Sequence, residues 1–289
     1  MARVLGASTY KGRKGITASV NGVFWLQKVA SRPDGLTVFA NLTERAKKDI
    51  DDIQVALEPD LIYPLLRGQD VQRWSATPSA HILVTHLPDA GLKAIPESRM
   101  AVEWPKTYAY LRYFEELLRQ SGIYRRYFKA GDPFYSVFNV GEYTFAPYKV
   151  VFREIAREMT CAVIAQLAER PVVPDHKLVL CPFADANEAH FVCGMLNSSP
   201  ARFVVNSYSI ETQFSTHVFD YVRLLQYIRT NPTHRALADL SQQAHAATAA
   251  GEAARVREIE AEVDRLAAKL WGLTDAELRE IQESLAELG

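Results

Sequence analysis

Long apolar runs are absent from this chain of 289 residues: no stretch of 18 apolar residues occurs, so no membrane-spanning helix is expected. The opening Met1-Ala2-Arg3-Val4-Leu5-Gly6 lacks the apolar core of a secretion signal, and a cytoplasmic protein is the expectation. Cysteine is scarce. Cys161, Cys181 and Cys193 fit a reducing compartment better than a disulfide framework. Glycine is not clustered: the early glycines are spaced as Gly12-Arg13-Lys14-Gly15, with no Gly-x-Gly fingerprint and no phosphate-binding loop. A dinucleotide or S-adenosylmethionine site built on a glycine-rich turn is therefore not expected. Metal spacing is missing too. Of His176, Cys181, His190 and Cys193, only His190-x-x-Cys193 is spaced for ligation, and both cysteines occupy ordinary places for a buried thiol.

The composition is that of a globular protein, 48% hydrophobic and 23% charged. A formal net charge of −1 conceals an asymmetry: residues 236–289 carry 5 bases against 11 acids, and residues 1–235 carry 28 against 23. An anionic partner belongs on the first part. Half of the aromatic residues, 15 of 30, fall in 104–152. Nine cations interleave with them (Lys106, Arg112, Arg119, Arg125, Arg126, Lys129, Lys149, Arg153 and Arg157), against six acids through Glu158. Cations hold phosphates and flat rings stack on exposed bases, so the block reads as a surface that grips nucleic acid. The other reading is a hydrophobic core with a solvated basic face.

Local patterns predict an α+β fold: a mixed, mostly antiparallel sheet body with inserted helices, followed by a helical segment. Residues 22–29 and 36–40 flank Pro33-Asp34-Gly35 as a hairpin. Further strands are expected at 81–85, 149–155, 161–166 and 177–183. Pro105 opens a helix over 105–120 that ends near Ser121-Gly122, and Asp185 with Glu188 has capping-box spacing for another. A target-binding domain is placed at 1–232 and a helical hairpin at 233–289. In the latter, an alanine-rich helix over 235–250 breaks at Gly251. Val256, Ile259, Val263, Leu266 and Leu270 then form a narrow seam whose expected partner is the 235–250 helix. A second capping box, Thr274 with Glu277, starts the last helix.

Several stretches resemble, in order, the carboxy-terminal target-recognition domain of adenine-specific DNA methyltransferases and fused restriction-modification enzymes, the TaqI-like specificity domain. They are Gly15-Ile16-Thr17-Ala18-Ser19-Val20-Asn21-Gly22-Val23-Phe24, Leu65-Leu66-Arg67-Gly68-Gln69-Asp70-Val71-Gln72-Arg73-Trp74, Phe145-Ala146-Pro147-Tyr148-Lys149-Val150-Val151, Pro174-Asp175-His176-Lys177-Leu178, Gly194-Met195-Leu196-Asn197-Ser198, Ser215-Thr216-His217-Val218 and the ending 270–278. The Leu-Arg-Gly-x-Asp-Val and Leu-Asn-Ser segments are the more specific. The chain departs from the family at Ala18-Ser19, where Thr-Gly is common and glycine would permit a positive φ. It also has no Pro-Pro pair, hence no Asn-Pro-Pro-aromatic motif to hold a target amino group; Asn231-Pro232-Thr233-His234 reads as a turn.

The resemblance implies a DNA-binding specificity module that is not an enzyme by itself and serves a methyltransferase or methyltransferase-nuclease partner. S-adenosylmethionine is expected only in that catalytic partner. Thr17 and Asn21 would read bases. Arg67 and Arg73 would meet phosphate or a guanine edge, Gly68 would allow close approach, and Asp70 would orient Arg67 or accept from cytosine. Tyr148 and Lys149 would touch the backbone, as would the cations Arg125, Arg126, Lys129 and Arg153. His176 and Lys177, and the loop of Thr212, Gln213, Ser215, Thr216 and His217, would face DNA. Two alternatives stand beside this reading: a metal-dependent nuclease using Asp175 and Lys177, and a protein-interaction remnant docking by its acidic helices.

Overall fold

The computed structural model describes residues 2–44, 50–88, 93–208 and 213–288. Two sheets form the body, as the alternation of short β-branched runs with turn residues dictates. A four-stranded antiparallel sheet runs in the order Arg13–Lys14, Leu178–Phe183, Tyr148–Arg153, Cys161–Ala165. A six-stranded sheet runs Val173–Pro174, Ile62–Leu66, Ala80–Leu83, Trp25–Ser31, Thr37–Asn41, Gln54–Leu57. It is antiparallel except for its first pair, where Val173 lies beside Leu65 in parallel. The expected hairpin is present, with Leu26 opposite Asn41 and Ser31 opposite Thr37. Its turn holds Gly35 at φ 84°, a conformation glycine adopts without a Cβ clash.

Val150, Phe152, Cys161, Val163, Val179 and Cys181, on one face of the four-stranded sheet, share a core with the helix Ala186–Asn197 and with the C-terminal helices Pro232–Ala249, Ala253–Leu270 and Asp275–Leu288. Asp185 caps the first of these through the Glu188 amide (2.9 Å), and Thr274 and Glu277 cap the last reciprocally. Gly251, at φ 74°, turns the chain so that Ile259 and Val263 of the seam pack in the same core as Leu237, Ala238, Ala244 and Ala247, with Val256, Leu266 and Leu270 partly buried against it. The seam finds its partner within the chain, as its short length required.

The six-stranded sheet builds a second core with the helices Glu97–Glu103, Pro105–Tyr113 and Glu115–Arg119. The expected 105–120 helix is broken at Phe114 (φ −99°, ψ 9°), whose ring is buried. Here the gripping-surface reading of the aromatic block is corrected. Trp104, Tyr110, Phe114, Phe134 and Tyr135 belong to the second core, and Phe152 to the first. Burying rings of this size gains more from desolvation than a solvent-facing stack would. Of the block's rings, Tyr113 and Tyr127 stand out as exposed.

Candidate nucleic-acid interface

The two sheets are joined by a turn over 175–177, between Val173–Pro174 of one and Leu178–Phe183 of the other. Asp175 holds this turn. Its carboxylate is 2% exposed, accepts the Lys177 amide at 2.8 Å and faces the Gly68 amide. Burial pushes its pKa up to about 6. Its backbone N–H donates to Leu66 O (2.9 Å), tying the turn to the start of 67–70. A carboxylate that accepts backbone amides in this way organises a turn.

A second segment crosses the same point. Ile16 N donates to Pro174 O (2.9 Å) and Gly15 N to Leu178 O (3.0 Å). The approach is so close that a Cβ on Gly15 would fall 2.0 Å from Asp175 O, which explains glycine there. Thr17 then exchanges backbone bonds with Phe138 (2.8 and 2.9 Å). Ser19, at the family departure, does not have a positive φ, so no glycine is needed.

Three segments far apart in sequence thus enclose one cleft of about 340 Å³, lined by Asn21, Trp25, Arg67, Gln69, His176 and Lys177 among others. Asp70 lies just behind Arg67. One carboxylate oxygen accepts the Arg67 amide (2.8 Å), the other accepts from Ser79 Oγ, and the Arg67 guanidinium donates to Ser79 Oγ. Burial, then the charge of Lys177, lowers the proton affinity of His176, so its imidazole is neutral at pH 7.

Other expected residues flank the cleft. Glu154 N donates to Lys177 O (2.9 Å) and Glu154 O accepts from Phe214 N (2.7 Å), which draws the 213–217 loop alongside. That loop carries Thr216 and an exposed His217, whose Nδ1 is 2.8 Å from Asp220; Thr212 lies outside the described residues. On the other flank, Ser121 caps the short helix Gly122–Tyr127, which with Lys129 exposes Arg125 and Arg126. Tyr127, 40% exposed, stacks on Phe138 (3.9 Å, 11°), and the Arg126 guanidinium lies over the Tyr127 ring (5.3 Å). Asn139, at φ 58°, follows Phe138 and donates to Thr17 Oγ1 (3.4 Å).

Four expected residues lie elsewhere. Arg73 points into the helical layer, where it ion-pairs with Glu260 (2.9 Å) and donates to Asn197 O (2.7 Å). Tyr148 packs against the first core. Lys149, expected at a phosphate, is 1% exposed, and its Nζ donates to Ala146 O (2.6 Å). Burial lowers its pKa to about 7, and it has no surface to offer an anion in this conformation. Arg153 is half-buried at the end of its strand opposite Leu178. Trp25 is expected only as a strand residue, and within the 104–152 block nothing local singles out the Tyr127–Phe138 stack. The metal candidates do not converge either: His190 meets Ser241 (3.0 Å), and Cys193 lies 3.6 Å from Cys161.

This chain is similar in sequence to a methyltransferase. It is 31% identical over 152 residues to the type II methyltransferase M.NspV from Nostoc sp., a match covering 51% of this chain and 30% of that protein. In fold it is similar to the type IIL restriction-modification enzyme MmeI, solved in complex with DNA. The superposition has a TM-score of 0.55 at 10% identity and covers 97% of this chain and 36% of MmeI. No family model matches. The chain spans about a third of the length of each of these two relatives, and its relation to restriction-modification proteins rests on them together. Among the described residues no helix is long and apolar enough to cross a membrane.

Proposed function

We propose that the chain is a DNA target-recognition module of a restriction-modification system, reading sequence for a methyltransferase or methyltransferase-nuclease catalytic domain. The observation that carries this reading is the convergence of 15–21, 67–70 and 174–177 on one cleft. These belong to three of the seven stretches that resemble a TaqI-like specificity domain, and local secondary structure gives no reason for them to meet. Asn21, Arg67, His176 and Lys177 supply donors at base-edge scale inside the cleft, while Arg125, Arg126 and Lys129 supply exposed charge on the segment that leads to Phe138. The similarity to a methyltransferase and to an enzyme solved on DNA supports the same assignment. In this reading S-adenosylmethionine binds the catalytic partner and the module turns nothing over.

The test is duplex binding by fluorescence anisotropy across a salt series. Affinity falls steeply with salt, and replacing Arg125, Arg126 and Lys129 each by Ala lowers the slope of log affinity against log salt by about 0.9 per lost contact. Affinity that is flat between low and moderate salt, or methyl transfer by the pure chain, would overturn the proposal.

A further inference from the structure

The hydrogen bonds around Arg67 fix which of its edges is available. Guanidinium groups offer two faces of donors, a side-on edge of Nε with Nη2 and an end-on edge of Nη1 with Nη2. In Arg67 the side-on edge is taken: Nε and Nη2 donate to Ser79 Oγ at 3.1 and 2.7 Å. Ser79 is held in turn by Asp70, whose other oxygen accepts the Arg67 amide. This closed loop immobilises a long side chain that is otherwise free to rotate. With one Nη2 hydrogen spent on Ser79, the end-on edge keeps the other Nη2 hydrogen and Nη1, for which there is no hydrogen-bond partner among the described residues, and Arg67 lines the cleft.

We propose that Arg67 reads a guanine in the target through this end-on edge, donating to the O6 and N7 acceptors in the major groove. The inference rests on the target-recognition reading above and names one base of the target. Two features favour a base edge over a phosphate. Asp70 sits 3.6 Å from Arg67 Nε and offsets much of its charge, which weakens attraction to an anion but leaves the donor geometry intact for a neutral base. The guanidinium is also fixed by Ser79; a phosphate contact does not need a preset donor geometry, whereas discrimination between bases gains from one. Asp70 and Ser79 are positioning residues here.

The experiment takes the full chain and a pool of random-sequence duplexes, with selection and sequencing of the bound fraction. Wild type is expected to enrich a motif containing a guanine whose preference disappears in Arg67→Gln while the other positions persist. Replacing that guanine by 7-deazaguanine, which lacks N7, weakens wild-type binding about 5- to 100-fold and leaves Arg67→Gln unaffected. The 7-deazaguanine arm uses the unaltered protein, so a folding defect in the variant does not blunt it. Ser79→Ala, which frees the guanidinium, retains the motif with a reduced guanine preference. A motif without guanine, a guanine preference that survives Arg67→Gln, or a uniform loss across sequences with a smaller salt slope would each overturn the inference while target recognition stands. Failure of wild type to enrich any motif would remove the target-recognition reading and the guanine assignment with it.

Discussion

Gly15→Ala tests the crossing on which the cleft depends. The added methyl would lie 2.0 Å from Asp175 O, 2.5 Å from Pro174 O and 2.6 Å from Asp175 C. All three are backbone atoms, so no side chain can swing aside, and the 15–16 and 174–175 segments must separate by more than about 1 Å. That movement breaks the Ile16 to Pro174 and Gly15 to Leu178 hydrogen bonds. At about 1 kcal/mol for each bond, plus about 1–2 kcal/mol of residual strain, the loss is roughly 3 kcal/mol. For a chain of this size that lowers Tm by roughly 5–10 °C. Differential scanning calorimetry measures it, with Gly131→Ala as control: a Cβ there meets nothing within 4 Å, and a change within about 0.5 kcal/mol is expected. DNA affinity should fall with stability in Gly15→Ala, because 174–177 forms the cleft wall. A Gly15→Ala protein that melts within about 1 °C of the parent would refute the close crossing and the assembly of the cleft derived from it.

Three further outcomes follow from the buried charges. His190 is held neutral by burial and by the nearby His245, its pKa lowered from 6.5 to about 3. The unfolded chain therefore takes up this proton first as pH falls, and stability present above pH 6.5 is lost progressively down to about pH 3. His190→Gln should flatten that limb in melting curves recorded against pH. Lys149 titrates near pH 7 in the fold and at 10.5 when unfolded, so stability rises as pH is raised between those values. Lys149→Met removes the rise and stabilises the protein at pH 7 by roughly 1–3 kcal/mol, measurable by urea unfolding. Arg73→Ala costs about 1–2 kcal/mol through its bonds to Glu260 and Asn197 O while DNA affinity per folded molecule stays unchanged. A salt-sensitive loss of binding in that variant would return Arg73 to the interface.

Features with a local cause were legible in the sequence. The hairpin of Trp25–Ser31 and Thr37–Asn41 follows from Pro33-Asp34-Gly35 between β-branched runs, and the caps at Asp185 and Thr274 from side chains that bond three residues away. Phe114 broke an expected helix because its ring packs into a core that no window of sequence contains. The site divides in the same way. Asn21, Arg67, Asp70, His176 and Lys177 could each be named from their segment, but that 15–16 lies against 174–175 is a tertiary fact. Lys149 and Arg73 were misplaced for the converse reason: a cation in a basic stretch carries no mark of which side of the strand or turn it leaves.

The aromatic block serves the cleft from behind. Tyrosines bury a ring and still bring a hydroxyl donor, which lets them satisfy backbone carbonyls that irregular segments leave unpaired. Tyr110 OH donates to Val23 O (2.8 Å) and Tyr135 OH to Ile95 O (2.8 Å), while Tyr124 OH donates to Asp132 O (2.6 Å). The first of these fastens the helix Pro105–Tyr113 to the short turn Asn21–Phe24, which carries Asn21 to the cleft. The third fastens the helix bearing Arg125 and Arg126 to the loop that leads to Phe138, the ring on which Tyr127 stacks. Rings between 104 and 152 therefore form part of the frame that holds Asn21 and the Arg125–Arg126 helix in place. Counting rings beside cations read as surface what is mostly core, because composition does not tell a ring that packs inward from one that faces solvent.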